Sequence, residues 1–164
     1  MYLSIKLIVL GFVASWANFG SNEIISEYKQ LNQELSPIKC GDLFSRYAAK
    51  PAKLSFVNCV PGEGQVILEA KYEVSGKDSK EVEDFLVKTY GLGKLKFVCC
   101  GWESEKGING QIEAVKGLED YPNYSIMIIM YASAETEMTE SEGTLEMDRD
   151  KIENFTVLVQ IVEV

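Results

Sequence analysis

The sequence contains no histidine. That absence removes the imidazole base of a Ser-His-Asp or Cys-His nucleophile pair, together with every zinc or iron site that depends on imidazole. Basic charge is scarce as well: sixteen Lys and Arg stand against twenty-five Asp and Glu, for a formal net charge of −9. Nucleic-acid binding needs a basic footprint that releases counterions from phosphate, so nucleic acid is not an expected partner. No apolar run approaches the about 20 residues of a membrane span. A phosphate-binding loop is missing too, because Gly91-Leu92-Gly93-Lys94 follows a predicted helix instead of opening one. What is present is the composition of a globular domain, 46% hydrophobic and 25% charged.

Residues 1–17, MYLSIKLIVLGFVASWA, carry one charge at Lys6, an apolar run from Leu7 to Ala14, and small residues at Ser15 and Ala17. This is the pattern of a secretory signal peptide cut after Ala17. A cut at Gly20 or Ser21, or a buried N-terminal helix in place of a signal, are the alternatives. Beyond Ala17 the chain turns polar, so residues 18–164 are expected as one secreted or periplasmic domain, with no membrane attachment after cleavage. Loss of Lys6 would leave the mature chain more acidic still.

All four cysteines, Cys40, Cys59, Cys99 and Cys100, follow that cut, and an even count in an exported chain makes them disulfide candidates. Adjacent side chains on a regular strand point to opposite faces, so Cys99 and Cys100 are expected to diverge. Two arrangements satisfy that expectation. Cys40 and Cys59 each reach one member of the pair, or they join each other and leave the other two as buried thiols. No C-x-x-C spacing supports a metal site.

Apolar residues at Ile24, Tyr28, Leu31 and Leu35 mark an amphipathic helix over 21–35, stopped by Pro37. A second, shorter helix over 42–49 has Asp42 as its cap and Leu43, Phe44, Tyr47 and Ala48 on its buried side. Leu54–Val60 and Gln65–Val74 form a hairpin through Pro61-Gly62-Glu63-Gly64, with Val66, Leu68, Ala70, Tyr72 and Val74 on one face. Asp78, with Glu81 three residues on, opens a third helix, whose stripe is Val82, Phe85, Leu86 and Tyr90 and whose terminal cap is Gly91. Strands follow at 95–102, at 111–115 paired with it, at 125–132, covered on both faces, and at 155–164. The order predicts an α+β domain: a mostly antiparallel sheet of about five to six strands with three helices packed on it.

Between the last two strands, residues 135–153 hold eight acids with Arg149 and Lys151. A charge run of this kind reads as a solvated connection. Asp148, Asp150 and Glu153 are the candidate calcium ligands, but the glycine and the oxygen ladder of an EF-hand loop are missing. For acid–base chemistry the candidates are Glu81, Glu83, Asp84, Glu103, Glu119 and Asp120, whose number alone carries no information, because paired-carboxylate catalysis depends on separation in space. Cys99-Cys100-Gly101-Trp102 admits a redox reading. The structural reading, a stapled strand with Trp102 over the bridges, is preferred, since exchange catalysts lower a thiolate pKa with a helix N-terminus or a cation.

Cys40-Gly41-Asp42, Lys50-Pro51 with Leu54-x-Phe56 and Cys59, Tyr72-x-Val74-x-Gly76, Val82-Glu83-Asp84-Phe85-Leu86, and Leu95-x-Phe97-Val98-Cys99-Cys100-Gly101-Trp102-Glu103 occur in succession. Over Cys40–Val115 this resembles an uncharacterised family of small secreted bacterial proteins with a Cys-Cys-Gly-Trp signature. The resemblance implies export, a single domain and retention of all four cysteines; it transfers no catalytic residue. The resulting expectation is an exported, non-enzymatic binding module of the bacterial envelope, of inhibitor or immunity type, with no cofactor and no catalytic or metal residue, steered by its charge toward a basic protein partner. A thiol- or carboxylate-based periplasmic enzyme and a domain binding a small apolar ligand are the alternatives.

Overall fold

The computed structural model describes residues 38–112, 118, 120–134 and 147–164. The predicted signal peptide, the predicted helix over 21–35 and most of the acidic connection lie outside the described residues. Among those described, the elements in chain order are α1 (Leu43–Tyr47), β1 (Ser55–Pro61), β2 (Val66–Ser75), α2 (Gly76–Tyr90), β3 (Leu95–Val98), β4 (Gly101–Ser104), β5 (Gly110–Ile112), β6 (Tyr124–Ser133) and β7 (Asn154–Glu163). Short 3-10 turns lie at Glu105–Gly107 and Arg149–Lys151.

All seven strands join one sheet in the order β1-β2-β7-β6-β4-β3, with β5 paired to β6, and every pairing is antiparallel. The expectation of five to six strands with three helices is therefore corrected to seven strands with two α-helices among the described residues. The extra strand arises where the predicted run 95–102 folds back on itself at Cys99-Cys100, giving β3 and β4 in place of one strand. A second correction concerns β5. It pairs with β6, through Gly110↔Ile128 and Ile112↔Ile126, and not with the 95–102 region; residues 113–115 of that predicted strand are outside the described set.

The centre of the sheet is β7, between β2 and β6. Its alternation is complete: Phe155, Val157, Val159 and Ile161 are fully buried, as the period-2 pattern requires. Burying such side chains stabilises the fold by about 1.5–3 kcal/mol each before entropy is counted. They meet Leu68, Ala70, Tyr72 and Val74 of β2 and Ile126, Ile128 and Met130 of β6 on the same face. The helix α2 covers this face with Val82 and Leu86. Its start is earlier than Asp78: Ser75 is the cap, accepting from the Asp78 N–H at 3.3 Å while its hydroxyl donates to the Asp78 carboxylate at 2.9 Å. The first helical position must be glycine, because a Cβ on Gly76 would lie 2.3 Å from the Arg149 carbonyl oxygen. Gly91 closes the helix at φ 71°, and the Leu92 N–H reaches back to the Leu86 carbonyl.

The run 125–132 was expected to be covered on both faces. Instead Ile126, Ile128, Met130 and Ala132 are buried while Met127 and Ile129 are half-buried and Tyr131 is exposed. A continuous apolar run hides the period-2 signal; α2 covers one face of the sheet, and among the described residues no helix packs on the other, referred to below as the open face.

Candidate functional site

The hairpin β3–β4 pairs Val98 with Gly101, so Cys99 and Cys100 are its two-residue loop. Cys99 has φ 53°, the left-handed value the first loop position of a tight hairpin takes in a type II′ turn. Side chains in a turn do not follow strand alternation, and here the neighbouring sulfurs are joined. The other bridge links Cys40 to Cys59, with Cα atoms 5.6 Å apart. Of the two expected arrangements, the crossed pairing is overturned, while the second keeps its Cys40–Cys59 bridge and loses its pair of buried thiols: no described cysteine is free, and Cys99 is exposed. The tip is fastened just past the end of β6 by a hydrogen bond from the Ala134 N–H to the Cys100 carbonyl at 2.8 Å. Gly101 permits this approach, since a Cβ there would lie 2.4 Å from the Ala132 oxygen.

Where the sequence places Trp102 over the bridges, its contacts in the structure are with two rings and a guanidinium. Its ring lies edge-on to Phe97 with centroids 5.9 Å apart, and tilted toward Phe155 at 6.4 Å. The guanidinium of Arg149 sits 5.4 Å from the Trp102 ring and 4.8 Å from that of Phe155. Arg149 Nη1 pairs with Glu83 Oε2, and Nε donates to the Ser79 hydroxyl at 2.6 Å, which in turn donates to the Gly76 carbonyl. The other carboxylate oxygen of Glu83 accepts from the Leu95 N–H at 2.9 Å. Both side chains are withdrawn from water, Glu83 at 3% and Arg149 at 13% exposure. Two donors in this knot, Trp102 Nε1 and Arg149 Nη2, are buried without a partner.

In the sequence Arg149 stands in a charge run of solvated character, which conceals its buried place. Its only signal lay in α2, where Glu83 falls beside Val82 on the apolar side of a helix. Of the other candidate carboxylates, Glu81, Asp84, Glu103 and Asp120 are exposed, and Glu119 lies outside the described residues. Glu83 has its oxygens committed to Arg149 and Leu95, which leaves it without the freedom a general base needs. Asp148 caps the turn at Arg149–Lys151 by accepting from the Asp150 N–H at 3.2 Å and pairs with Lys151 at 3.5 Å. Among the described residues no group of three His, Cys, Asp or Glu side chains is placed to hold a metal.

A second polar knot holds α1. Asp42 accepts from the Ser45 N–H at 3.0 Å and the Ser45 hydroxyl at 2.7 Å, from Lys50 Nζ at 2.8 Å, and from the Tyr72 hydroxyl at 2.9 Å. Partial burial pushes the Asp42 carboxyl up, but these donors, Lys50 foremost, outweigh it and hold the group well below the usual carboxylate range. Tyr72, fully buried, takes the Phe44 N–H on the same oxygen at 3.0 Å. Burial and the adjacent carboxylate push its phenol above the ordinary value. A tyrosine so placed is structural, tying the loop after the Cys40 bridge to β2.

The open face of the sheet carries a different arrangement. Register places Leu158 beside Lys71 and Ile129, Gln160 beside Glu69 and Met127, and Thr156 beside Glu73 and Tyr131. Leu158, Ile129, Met127 and Val162 thus make an apolar centre over β6 and β7. The side toward β1 and β2 is polar, with Gln160 donating to Glu69 at 2.6 Å and Lys71 paired to Glu73 at 2.8 Å. Val60, exposed on the edge strand β1, extends the face past Glu69. Beside the end of α2 a cleft of about 540 Å³ is lined by Thr89, Tyr90, Gly91, Asn109, Gln111 and Ile112. That lining is mainly polar.

Residues 30–102 match the model of a domain of unknown function, DUF4952. The match takes in the Cys40–Cys59 bridge, the Asp42–Tyr72 knot, Glu83 and the Cys99-Cys100-Gly101-Trp102 stretch, and ends before β5, β6, β7 and Arg149. No curated protein and no solved structure matches the chain. No helix among the described residues is long and apolar enough to cross a membrane.

Proposed function

We propose that this protein is an exported binding module that engages a basic partner protein through the open face of its sheet. The observation that carries the reading is the layout of that face: Met127, Ile129, Leu158 and Val162, with Gln160 set among them, beside a polar border of Glu69, Lys71 and Glu73. An apolar core within a polar rim is the anatomy of protein interfaces. The formal net charge of −9 supports a basic partner, because complementary long-range charge raises the encounter rate. Export is supported by the N-terminal sequence pattern and by a bridge at Cys40–Cys59, which persists in oxidising compartments. An envelope inhibitor or immunity-type role fits both features.

The test is capture from an envelope extract at low and high salt, with wild-type protein, with Ile129→Lys and Leu158→Lys, and with the control Val98→Lys at the exposed hairpin. The expected result is a partner retained by wild type and Val98→Lys, weakened by salt and lost with both face variants, whose folding is checked by circular dichroism. Retention by well-folded face variants equal to wild type would reject the assignment.

A further inference from the structure

The two disulfides differ in what they can do for the fold. Cys40–Cys59 joins residues 19 apart, and closing a loop of that size removes conformational freedom from the unfolded chain. Both cysteines pack against the hydrophobic core. Cys99–Cys100 joins neighbours, closes no loop of chain, and stands at the tip of an edge hairpin with Cys99 exposed. A bridge there adds almost no chain-entropy stabilisation, so its place in the molecule calls for another explanation. Its Cα atoms are 3.8 Å apart, the spacing of any two residues joined by a trans peptide, and the exposure of Cys99 leaves the bond open to a reductant from solvent.

We infer that Cys99–Cys100 is a redox switch: a dithiol reductant opens it selectively, and its opening releases the hairpin tip from β6. The reaction is thiol–disulfide exchange. A thiolate of the reductant attacks Sγ of the exposed Cys99, the bond to Cys100 breaks, and the Cys100 sulfur leaves as a thiolate and takes up a proton. The reductant's second thiolate then attacks the mixed disulfide, closing its own disulfide and freeing Cys99 as a thiol. Two electrons and two protons pass from reductant to protein. Oxidation of the adjacent thiols reverses the sequence, with a disulfide oxidant as acceptor.

The consequence for the fold follows from how the tip is held. The bridge constrains the left-handed backbone at Cys99, a conformation that a residue with a side chain adopts uncommonly. The next residue presents its carbonyl to the Ala134 N–H, and β4 pairs with β6 through only Gly101↔Ser133 and Trp102↔Ala132. Reduction therefore loosens a short, local attachment and leaves the sheet from β1 to β6 intact. The Cys40–Cys59 bridge is unaffected by this step.

The test treats the oxidised full chain with graded dithiothreitol, traps thiols by alkylation and locates them by peptide mass, in parallel with amide hydrogen exchange at Ala134. Cys99 and Cys100 are expected to become alkylated at about ten-fold less reductant than Cys40 and Cys59, with exchange at Ala134 rising over the same range. Ala134 in a Cys99→Ser/Cys100→Ser variant should exchange like the reduced protein whatever the reductant. Opening of both bridges together, alkylation of Cys99 and Cys100 before any reductant is added, or unchanged exchange at Ala134 after their reduction would each overturn the inference.

Discussion

Replacing Arg149 by Met should be among the most damaging single substitutions in the described part of the chain. Met keeps much of the aliphatic stem but removes the cation from between Trp102 and Phe155, the donor to Ser79 and the partner of Glu83. Glu83 would stay in its buried position, 3% exposed, with the Leu95 N–H and the more distant Lys80 Nζ, 3.9 Å from Oε2, as its remaining partners. Leaving one member of a buried ion pair unpaired costs about 3–5 kcal/mol. The loss should appear in urea titrations as a lower midpoint with an unchanged slope, and as a fall of roughly 10–20 °C in melting temperature. The double substitution Glu83→Leu/Arg149→Met removes both charges and should recover most of that loss, because an ion pair in the interior is often matched by an apolar pair of similar volume. The reasoning fails if Arg149→Met costs less than about 1 kcal/mol, the level of an exposed pair. It also fails if the two substitutions prove additive, since coupled partners must show an interaction energy in the double-mutant cycle.

Asp42→Ala removes the cap of α1 and the acceptor for Lys50 and Tyr72, at a cost of about 2 kcal/mol at neutral pH by chemical denaturation. Because Asp42 titrates below its unfolded value near 3.9, its contribution is fully present above that pH and fades as pH falls below it. The stability gap between wild type and variant should therefore narrow through acid pH, and a gap independent of pH would contradict the linkage. Cys40→Ser/Cys59→Ser opens a loop of 19 residues and should destabilise the protein by about 3 kcal/mol, measured by urea titration without reductant; a loss below about 1 kcal/mol would show that the bridge is not the staple proposed.

The corrections made by the structure share a cause. Helix α1 and its Asp42 cap, the Gly91 terminus of α2, and the alternation of β7 depend on residues within one turn or one strand of each other, and all are read directly from the chain. The turn at Cys99-Cys100 escaped because Phe97-Val98 and Trp102 are strand formers on either side of it, so the run looked continuous. Alternation along that imagined strand then argued against the bond the turn permits. In β6 the unbroken Ile and Met residues concealed which face is buried, a matter settled by where α2 lies.

The candidate sites divide in the same way. The cysteines, Asp42 and the mainly acidic character of the chain are properties of the sequence by itself, as is the exclusion of imidazole chemistry. The apolar centre around Leu158 and Ile129 exists only because antiparallel register sets β7 beside β6 with those residues on one face. The pairing of Arg149 with Glu83 spans 66 positions in the chain. Local signals decay within a few residues because they arise from backbone geometry and neighbouring side chains. A contact between distant residues is created by topology, and in this protein topology decided which charge is buried, which cysteines meet and which face of the sheet α2 covers.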